Sequence, residues 1–277
     1  MNPDFQRRIQ RYGWDKAAPV YEEAWQDPLQ HTQERLLELA DLQPGERVLD
    51  IACGTGLVTF PAAERVGHDG AVTAVDLSDS MVAAVEEKSR QNGFGRIEAR
   101  QMDAESLSFD DASFDVVLCS LGLMYVPDPT AAVREMYRVL APGGRTVTAV
   151  WGHRDRCGWA EIFPIIDRRV KSEVCPLFFQ LGTGGALEYA FETAGFEHIE
   201  MERFSKPLHF DSPETACEAA FLGGPVALAW HKLDDTNRET ARQEYLASIE
   251  PHRNGDGYAI PGEFVVLAGR KPDVGRE

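Results

Sequence analysis

Long apolar runs are missing from this sequence. A helix that crosses a bilayer needs about 20 consecutive, mostly apolar residues, and no such stretch occurs in the chain. The N-terminal segment MNPDFQRR is largely polar and charged, whereas a secretory signal would place an apolar stretch near this end. The sequence therefore predicts no membrane span and, by default, a cytoplasmic protein.

Basic residues are also scarce. The 277-residue chain carries 28 Lys and Arg against 45 Asp and Glu, a formal net charge of −17, and it has no stripe rich in Lys or Arg. A negative field of this kind repels the phosphates of nucleic acids. We therefore expect no nucleic-acid partner, and a small molecule is the expected substrate.

Cysteine is sparse and scattered. The five cysteines stand at positions 53, 119, 157, 175 and 217, and none belongs to a Cys-x-x-Cys pair. This spacing supports neither a zinc site nor a disulfide framework. We expect no bound metal, and we interpret the cysteines as small apolar residues of the interior.

The segment Val48–Gly56 joins an apolar run, a carboxylate at Asp50 and a turn with Gly54 and Gly56. Glycines let a strand turn sharply into a helix and let the backbone pass close to a ligand. A turn that binds a pyrophosphate would have a third glycine where this chain has Thr59. The turn therefore favours a cationic small molecule over a dinucleotide.

Apolar runs alternate with helical patterns along much of the chain. The predicted strands are 46–51, 71–76, 97–102, 114–120, 145–151, 197–204 and 263–268. The alternation predicts right-handed crossovers and an α/β fold with a doubly wound, mostly parallel seven-stranded sheet. We expect one domain over residues 1–277, with a core of 31–151, 183–204 and 258–270. Residues 1–30, 152–182 and 205–257 are expected to form a helical cap.

Acidic side chains stand at three consecutive strand ends of this predicted sheet. Asp50 ends the first strand, Asp76 the second, and Asp103 follows the third. Ligands of open parallel sheets bind outside the carboxyl ends of the strands. Asp76 can hold two ribose hydroxyls there, and Asp103 can accept a hydrogen bond from an exocyclic amine. Three carboxylates suit a positively charged nucleoside.

These residues resemble the class I S-adenosylmethionine-dependent methyltransferases. The resemblance is strong over residues 12–151, and Phe114–Val117 and Leu140–Gly144 resemble two further motifs of the family. Three other segments, 14–21, 109–115 and 134–140, resemble the ubiquinone/menaquinone C-methyltransferase branch and its small-molecule relatives. The resemblance implies a Rossmann-like methyltransferase fold and S-adenosyl-L-methionine as cofactor, with S-adenosyl-L-homocysteine as product. The cofactor-binding residues that it implies are Asp50, Ala52, Cys53, Gly54, Gly56, Asp76, Leu77, Asp103, Ala104 and Ser120.

The methyl-acceptor side is less well marked. Tyr12, Trp14, Tyr21 and Trp25 place aromatic rings just ahead of the core, where they serve either as packing or as a cover over the site. His153 follows the fifth strand and is the candidate general base. Tyr21 and Tyr125 are the further catalytic candidates.

The acceptor itself stays open at this point. The apolar segments 162–166 and 175–179 either wall a lipophilic pocket or form the contact of a homodimer. A small, lipophilic or aromatic acceptor is expected, methylated on carbon, oxygen, nitrogen or sulfur, and C-methylation of a quinone precursor is one option. The alternatives are a non-catalytic protein that binds S-adenosylmethionine or S-adenosylhomocysteine and, disfavoured by Thr59, a nicotinamide oxidoreductase.

Overall fold

A computed structural model describes residues 3–170 and 178–273. Its first element is the helix α1, Pro3–Ala40, which continues through Pro19 and Pro28. Each proline removes a main-chain donor from the helix. The helix tolerates both because packing of one face, and not intrinsic propensity, supplies most helical stability in proteins. Its buried residues include Trp25, Leu29 and Leu36.

Five strands form the first part of the sheet, all parallel to one another. They are β1 (Arg47–Ile51), β2 (Ala71–Asp76), β3 (Ile97–Gln101), β4 (Phe114–Ser120) and β5 (Leu140–Trp151). The crossover helices are α2 (Thr59–Val66), α3 (Asp79–Asn92) and α4 (Pro129–Val139). The sheet order is β3-β2-β1-β4-β5, so the chain changes direction across the sheet between β1 and β4. This confirms the doubly wound α/β fold.

Two long antiparallel strands complete the sheet. β6 (Glu197–Phe210) lies at the edge, and β8 (Gly257–Arg270) runs between it and β5. Both strands are longer than the predicted 197–204 and 263–268, and they continue through Pro207 and Pro261, although proline lacks the N–H that a strand interior uses. The two prolines face each other in the register, and Pro261 lies beyond the last residue of β5. A two-residue strand, β7 (Arg253–Asn254), pairs with the start of β8.

The remaining helices lie outside the parallel core. They are α5 (Ile162–Asp167), α6 (Ala186–Ala194), α7 (Pro213–Phe221), α8 (Ala227–Trp230) and α9 (Asp235–Ile249). The last three are inserted between β6 and β8, and α1 packs against both α7 and α8. Trp25 of α1 donates its indole N–H to the carbonyl oxygen of Gly223 at 2.9 Å. This insertion therefore covers the N-terminal helix from outside.

The interior is one large hydrophobic cluster with a smaller one beside it. The large cluster joins α1, the parallel strands and the inserted helices. The apolar segment 162–166 is buried in it, apart from half-buried Pro164, and so is Phe178. Cys175–Leu177, the first part of the other predicted apolar segment, lie outside the described residues. Cys53, Cys119, Cys157 and Cys217 are buried and unpaired.

Replacement of Leu36 tests how far α1 belongs to this core. Leu36 is fully buried, whereas Leu39 is only partly buried on the same helix. We expect Leu36→Ala to lower the free energy of unfolding by about 2–5 kcal/mol, because it removes packed methyl groups and leaves a cavity. Leu39→Ala, the matched control, should cost clearly less. Urea unfolding measures both, and equal losses would contradict a core role for this part of α1.

Candidate functional site

The site begins at the turn after β1. Ala52, Gly54 and Gly56 have positive φ angles of 55°, 56° and 93°, a conformation that glycine adopts without strain and alanine does not. A Cβ on Gly56 would lie 2.5 Å from the ring of Phe60, so this position has no room for a side chain. The backbone is therefore folded tightly at the point where β1 and β4 diverge.

Asp50 lies behind this turn with only 1% of its surface exposed. Thr59, the residue in place of a third glycine, donates its hydroxyl hydrogen to Asp50 Oδ2 at 2.6 Å. Burial raises the pKa of Asp50 to about 7, an effect that the Thr59 hydrogen bond partly offsets and the charge of Asp76 reinforces. Thr59 thus fixes the carboxyl group that the turn encloses.

Asp76, at the end of β2, is 8% exposed. Its two oxygens accept hydrogen bonds from the backbone N–H of Gly54 at 2.9 Å and of Ser78 at 2.8 Å. Burial raises its pKa to about 6 against the lowering effect of these bonds. A carboxylate has about four lone-pair sites, so Asp76 joins the two turns and still has acceptor capacity toward the cleft.

Asp103 follows β3 and lies beside an arginine of α1. Arg7 Nε is 2.7 Å from Asp103 Oδ2 and 2.9 Å from Glu105 Oε2. The Glu105 side chain is buried, and its other oxygen accepts from the N–H of Asp128 at 2.9 Å. Arg7 therefore bridges two carboxylates at the outer end of the site.

These strand ends line one cleft, with about 740 Å³ of space between its walls, part of it open to solvent. Among the predicted residues, the cleft is lined by Ala52, Gly54, Asp76, Leu77, Asp103, Ala104 and Ser120, and by Tyr21 and Tyr125. Asp50, Cys53 and Gly56 do not line it and lie in or behind the turn. Trp14, one of the aromatic residues ahead of the core, also lines the cleft. The lining residues that the sequence did not single out are Arg7, Gln10, Ile51, Met81, Met102, Glu105, Leu121, Gly122, Val126 and Pro127.

A second cavity adjoins the cleft, with about 350 Å³ of space between its walls, part of it open to solvent, and we call it the chamber. Its described lining residues are Trp14, Tyr21, Trp25, Leu29, Leu121, Tyr125, Trp151, Trp159, Gly223, Gly224 and Pro225. The first part of its wall comes from α1, as the aromatic residues of the N-terminal segment indicated. The rest of the wall was not predictable from the sequence. Nothing in the sequence around Trp151, Trp159 or the Gly223–Pro225 turn distinguishes a residue that lines a cavity from one that packs in the core.

Three aromatic rings stand between the two cavities, and we call them the collar. Trp14, Tyr21 and Tyr125 line both the cleft and the chamber. The ring of Trp14 meets Tyr21 and Tyr125 edge to face, with centroids 5.7 and 5.0 Å apart. Tyr21 Cε1 lies 3.5 Å from the Cβ position of Gly54. Tyr21 therefore brings the collar next to the glycine turn.

His153 lies apart from both cavities. Its side chain is 48% exposed, and it begins a short 3-10 turn in which its Nδ1 accepts from the N–H of Asp155 at 3.3 Å. Its own N–H donates to Glu263 Oε1 at 2.8 Å. The histidine contributes to the end of β5 and lines neither the cleft nor the chamber.

No helix within residues 3–170 and 178–273 is long and apolar enough to cross a membrane. The same ranges contain no group of three or more His, Cys, Asp or Glu side chains placed to hold a metal ion.

The buried carboxyl of Asp50 predicts a pH effect on stability. Its folded-state pKa of about 7 exceeds the ordinary 3.8, so ionised Asp50 opposes folding. This penalty is full above the folded pKa and shrinks as the pH falls toward the ordinary value. We therefore expect the wild type to gain about 1–3 kcal/mol of unfolding free energy over Asp50→Asn between pH about 8 and about 5.

Urea unfolding of the two proteins at both pH values, without added ligand, measures this gain. Asp69→Asn is the matched control, because Asp69 is an exposed carboxylate before β2. Its difference from the wild type should stay constant. A difference for Asp50→Asn that does not change with pH would contradict the raised pKa.

Known proteins resemble this chain in sequence and fold. A family model described as a methyltransferase domain matches residues 48–144. A ubiquinone/menaquinone biosynthesis C-methyltransferase of Shewanella woodyi is 44% identical over 181 residues, covering 59% of this chain and 71% of that protein. The nocamycin O-methyltransferase of Saccharothrix syringae is 26% identical over 277 residues, covering 95% of this chain and 98% of that protein.

A solved structure extends the similarity to the fold. A phosphoethanolamine N-methyltransferase of Haemonchus contortus, in complex with S-adenosyl-L-methionine, matches with a TM-score of 0.61 and 20% identity over 98% of this chain and 60% of that one. The family membership decides between the alternatives that the sequence left open, in favour of an enzyme. This chain belongs to the class I S-adenosylmethionine-dependent methyltransferases and uses S-adenosyl-L-methionine to methylate a small molecule.

Proposed function

We propose that the cleft holds the cofactor with its adenosine toward Asp103 and its methionine part at the glycine turn. One observation carries this proposal: a continuous cleft runs past the ends of β3, β2 and β1 and reaches the collar. Asp76, in the middle, has acceptor capacity for the ribose hydroxyls. Leu77 then packs along the adenine, and Asp103 and Ala104 face its exocyclic amine.

The groups present fit a cationic nucleoside. The turn at Gly54 has only the Tyr21 ring within contact distance of an added Cβ, so the backbone lies open to a ligand. Burial raises the pKa values of Asp50 and Asp76, and the charge of Asp76 adds to the effect on Asp50, so ionising both carboxyl groups carries a free-energy cost. A ligand with an ammonium or sulfonium group would lower this cost. Cys53 and Gly56 then serve the turn by fitting its tight backbone.

The chemistry on the acceptor side follows from the collar. S-adenosylmethionine, when bound, supplies a methyl group on a positively charged sulfur. Tyr21, over Gly54, and Tyr125, across Trp14, would contact the reacting groups and exclude water from them, which aids a direct displacement. Their aromatic faces also favour a positive charge. His153 lies outside both cavities, so the proposal gives it no part in proton transfer.

We propose a lipophilic or aromatic acceptor for the chamber. Its described lining is dominated by Trp and Tyr rings and has no charged side chain. The named relatives include an O-methyltransferase and a C-methyltransferase of quinone biosynthesis, so oxygen and carbon acceptors both agree with the family. The net charge of −17 supports a small-molecule acceptor over a nucleic acid. The homodimer and the cytoplasmic location stay predictions.

Replacement of Asp76 tests the cofactor assignment. Asp76→Asn should weaken S-adenosylhomocysteine binding about 10- to 100-fold, because hydrogen bonds to a charged group contribute about 1.5–3 kcal/mol. The exposed Asp69→Asn should bind as the wild type does. Isothermal titration measures both. Unchanged affinity in Asp76→Asn, with a normally folded protein, would remove Asp76 from the cofactor site.

Turnover with contrasting acceptors tests the acceptor class. We expect the methyl label of S-adenosylmethionine to pass to apolar ring compounds such as demethylmenaquinol, because the chamber buries apolar surface. Phosphoethanolamine and sarcosine should accept no label, since the described lining offers their charges no partner. Extraction into organic solvent and mass spectrometry identify the product. Methylation of the polar acceptors with none of the apolar set would contradict the proposal.

A further inference from the structure

The polar side-chain atoms of the chamber are informative, because each of them can donate a hydrogen bond. The described lining residues are aromatic, apolar or glycine. Their side-chain polar atoms are the hydroxyls of Tyr21 and Tyr125 and the indole N–H groups. Trp25 already donates to Gly223. Trp159 Nε1 is buried and has no partner among the described residues.

The two tyrosine hydroxyls are free to bind a ligand. Neither has a hydrogen-bond partner within the described ranges, and both rings stand at the junction of the cavities. Burial raises the pKa of Tyr21 and of Tyr125 above the ordinary value, with Asp76 adding to the effect on Tyr21 and Tyr21 to that on Tyr125. Both hydroxyls therefore keep their protons at neutral pH and can donate.

Charged groups surround this junction on the cofactor side only. Asp76 faces Tyr21 from β2, and Asp103, Glu105 and Arg7 line the outer part of the cleft. From the other side, α1, the end of β5 and the Gly223–Pro225 turn contribute no charged side chain to the described lining. An anion bound in the chamber would be repelled by the charge of Asp76, and no cationic side chain in the described lining would pair with it. A cation would lie beside the donor's sulfonium, a like charge.

From this arrangement we infer that the acceptor enters the chamber as a flat, uncharged ring compound whose oxygen accepts hydrogen bonds from Tyr21 and Tyr125. The inference rests on the proposed function and deepens it, since it sets the ionisation state and the polar group of the acceptor. The ring packs among Trp25, Trp151 and Trp159, and the oxygen lies at the collar. The two tyrosines therefore determine specificity by orienting the ring, so that the atom to be methylated faces the glycine turn.

Four naphthalene probes of one ring system separate the possibilities. They are 2-acetylnaphthalene with a neutral carbonyl, 2-ethylnaphthalene without an acceptor, 2-naphthoate as an anion and 2-(aminomethyl)naphthalene as a cation. Calorimetry measures each with the full-length protein saturated with S-adenosylhomocysteine. The ketone should bind about 3- to 10-fold tighter than the hydrocarbon, because this ratio of affinities corresponds to the net contribution of a neutral hydrogen bond. It should bind at least about tenfold tighter than either ion, because the described lining leaves buried charge unpaired.

Variants then assign the preference to the tyrosines. In the double variant Tyr21→Phe with Tyr125→Phe, which keeps both rings, the ketone and the hydrocarbon should bind equally well. The control pair Tyr12→Phe and Tyr189→Phe alters two exposed tyrosines and should retain the preference. The wild-type series tests the inference even if the double variant does not fold.

The outcomes are distinct. An ion that binds as tightly as the ketone, or a ketone preference that survives in the double variant, overturns the inference. S-adenosylhomocysteine binding without binding of any naphthalene also overturns it and leaves the cofactor assignment intact. A failure of S-adenosylhomocysteine itself to bind would instead count against the proposed function.

Discussion

The burial of two carboxyl groups is the main electrostatic constraint on the site region. Asp50 and Asp76 lie almost wholly out of water, and neither has an ion pair within the part of the chain that the structure describes. Burying an unpaired carboxylate is costly, and the group responds with a raised pKa. The hydroxyl of Thr59 and the backbone N–H groups of Gly54 and Ser78 offset part of this cost. The glycine turn thus encloses two carboxyl groups whose burial is only partly compensated by neutral hydrogen-bond donors.

Helix α1 closes the same region through polar contacts. Asp15 Oδ1 accepts from the hydroxyl of Ser78 at 2.6 Å and from the N–H of Ser80 at 3.2 Å. Glu22 pairs with Lys88 of α3 at 2.6 Å. Together with the Arg7 bridge, these contacts tie the first half of α1 to the residues that follow β2 and β3. Partly exposed ion pairs are each weak, so the buried apolar half of the helix anchors it and the polar contacts set its position.

The parallel core was predictable because its signals are local. Apolar runs that alternate with helical patterns predicted the doubly wound sheet, and the strand-end carboxylates Asp76 and Asp103 indicated where the cleft lies. The extension of β6 and β8 through Pro207 and Pro261 was not predictable. A strand accepts proline where no neighbouring strand needs its N–H, and the sequence does not show which strands are neighbours. The positive φ of Leu121, 57°, also carries no sequence signal, because a leucine adopts it only under tertiary constraint.

The walls of the two cavities come from different parts of the chain. A family resemblance over residues 48–144 therefore informs about the cleft more than about the chamber. Much of the cleft is built from residues 48–144, the range that the family model matches. The chamber takes only Leu121 and Tyr125 from that range. Its other walls come from α1, the end of β5, the 3-10 turn at Trp159 and the insertion between β6 and β8. Within the described residues, the inserted segment and the turn at Trp159 make no hydrogen bond, ion pair or ring contact with Asp50, Asp76 or the glycine turn, whereas α1 contacts Ser78 and Gly54 as well as the chamber. The cleft therefore follows the range that the family shares, and the chamber is left to segments whose sequence pattern resembles ordinary packing.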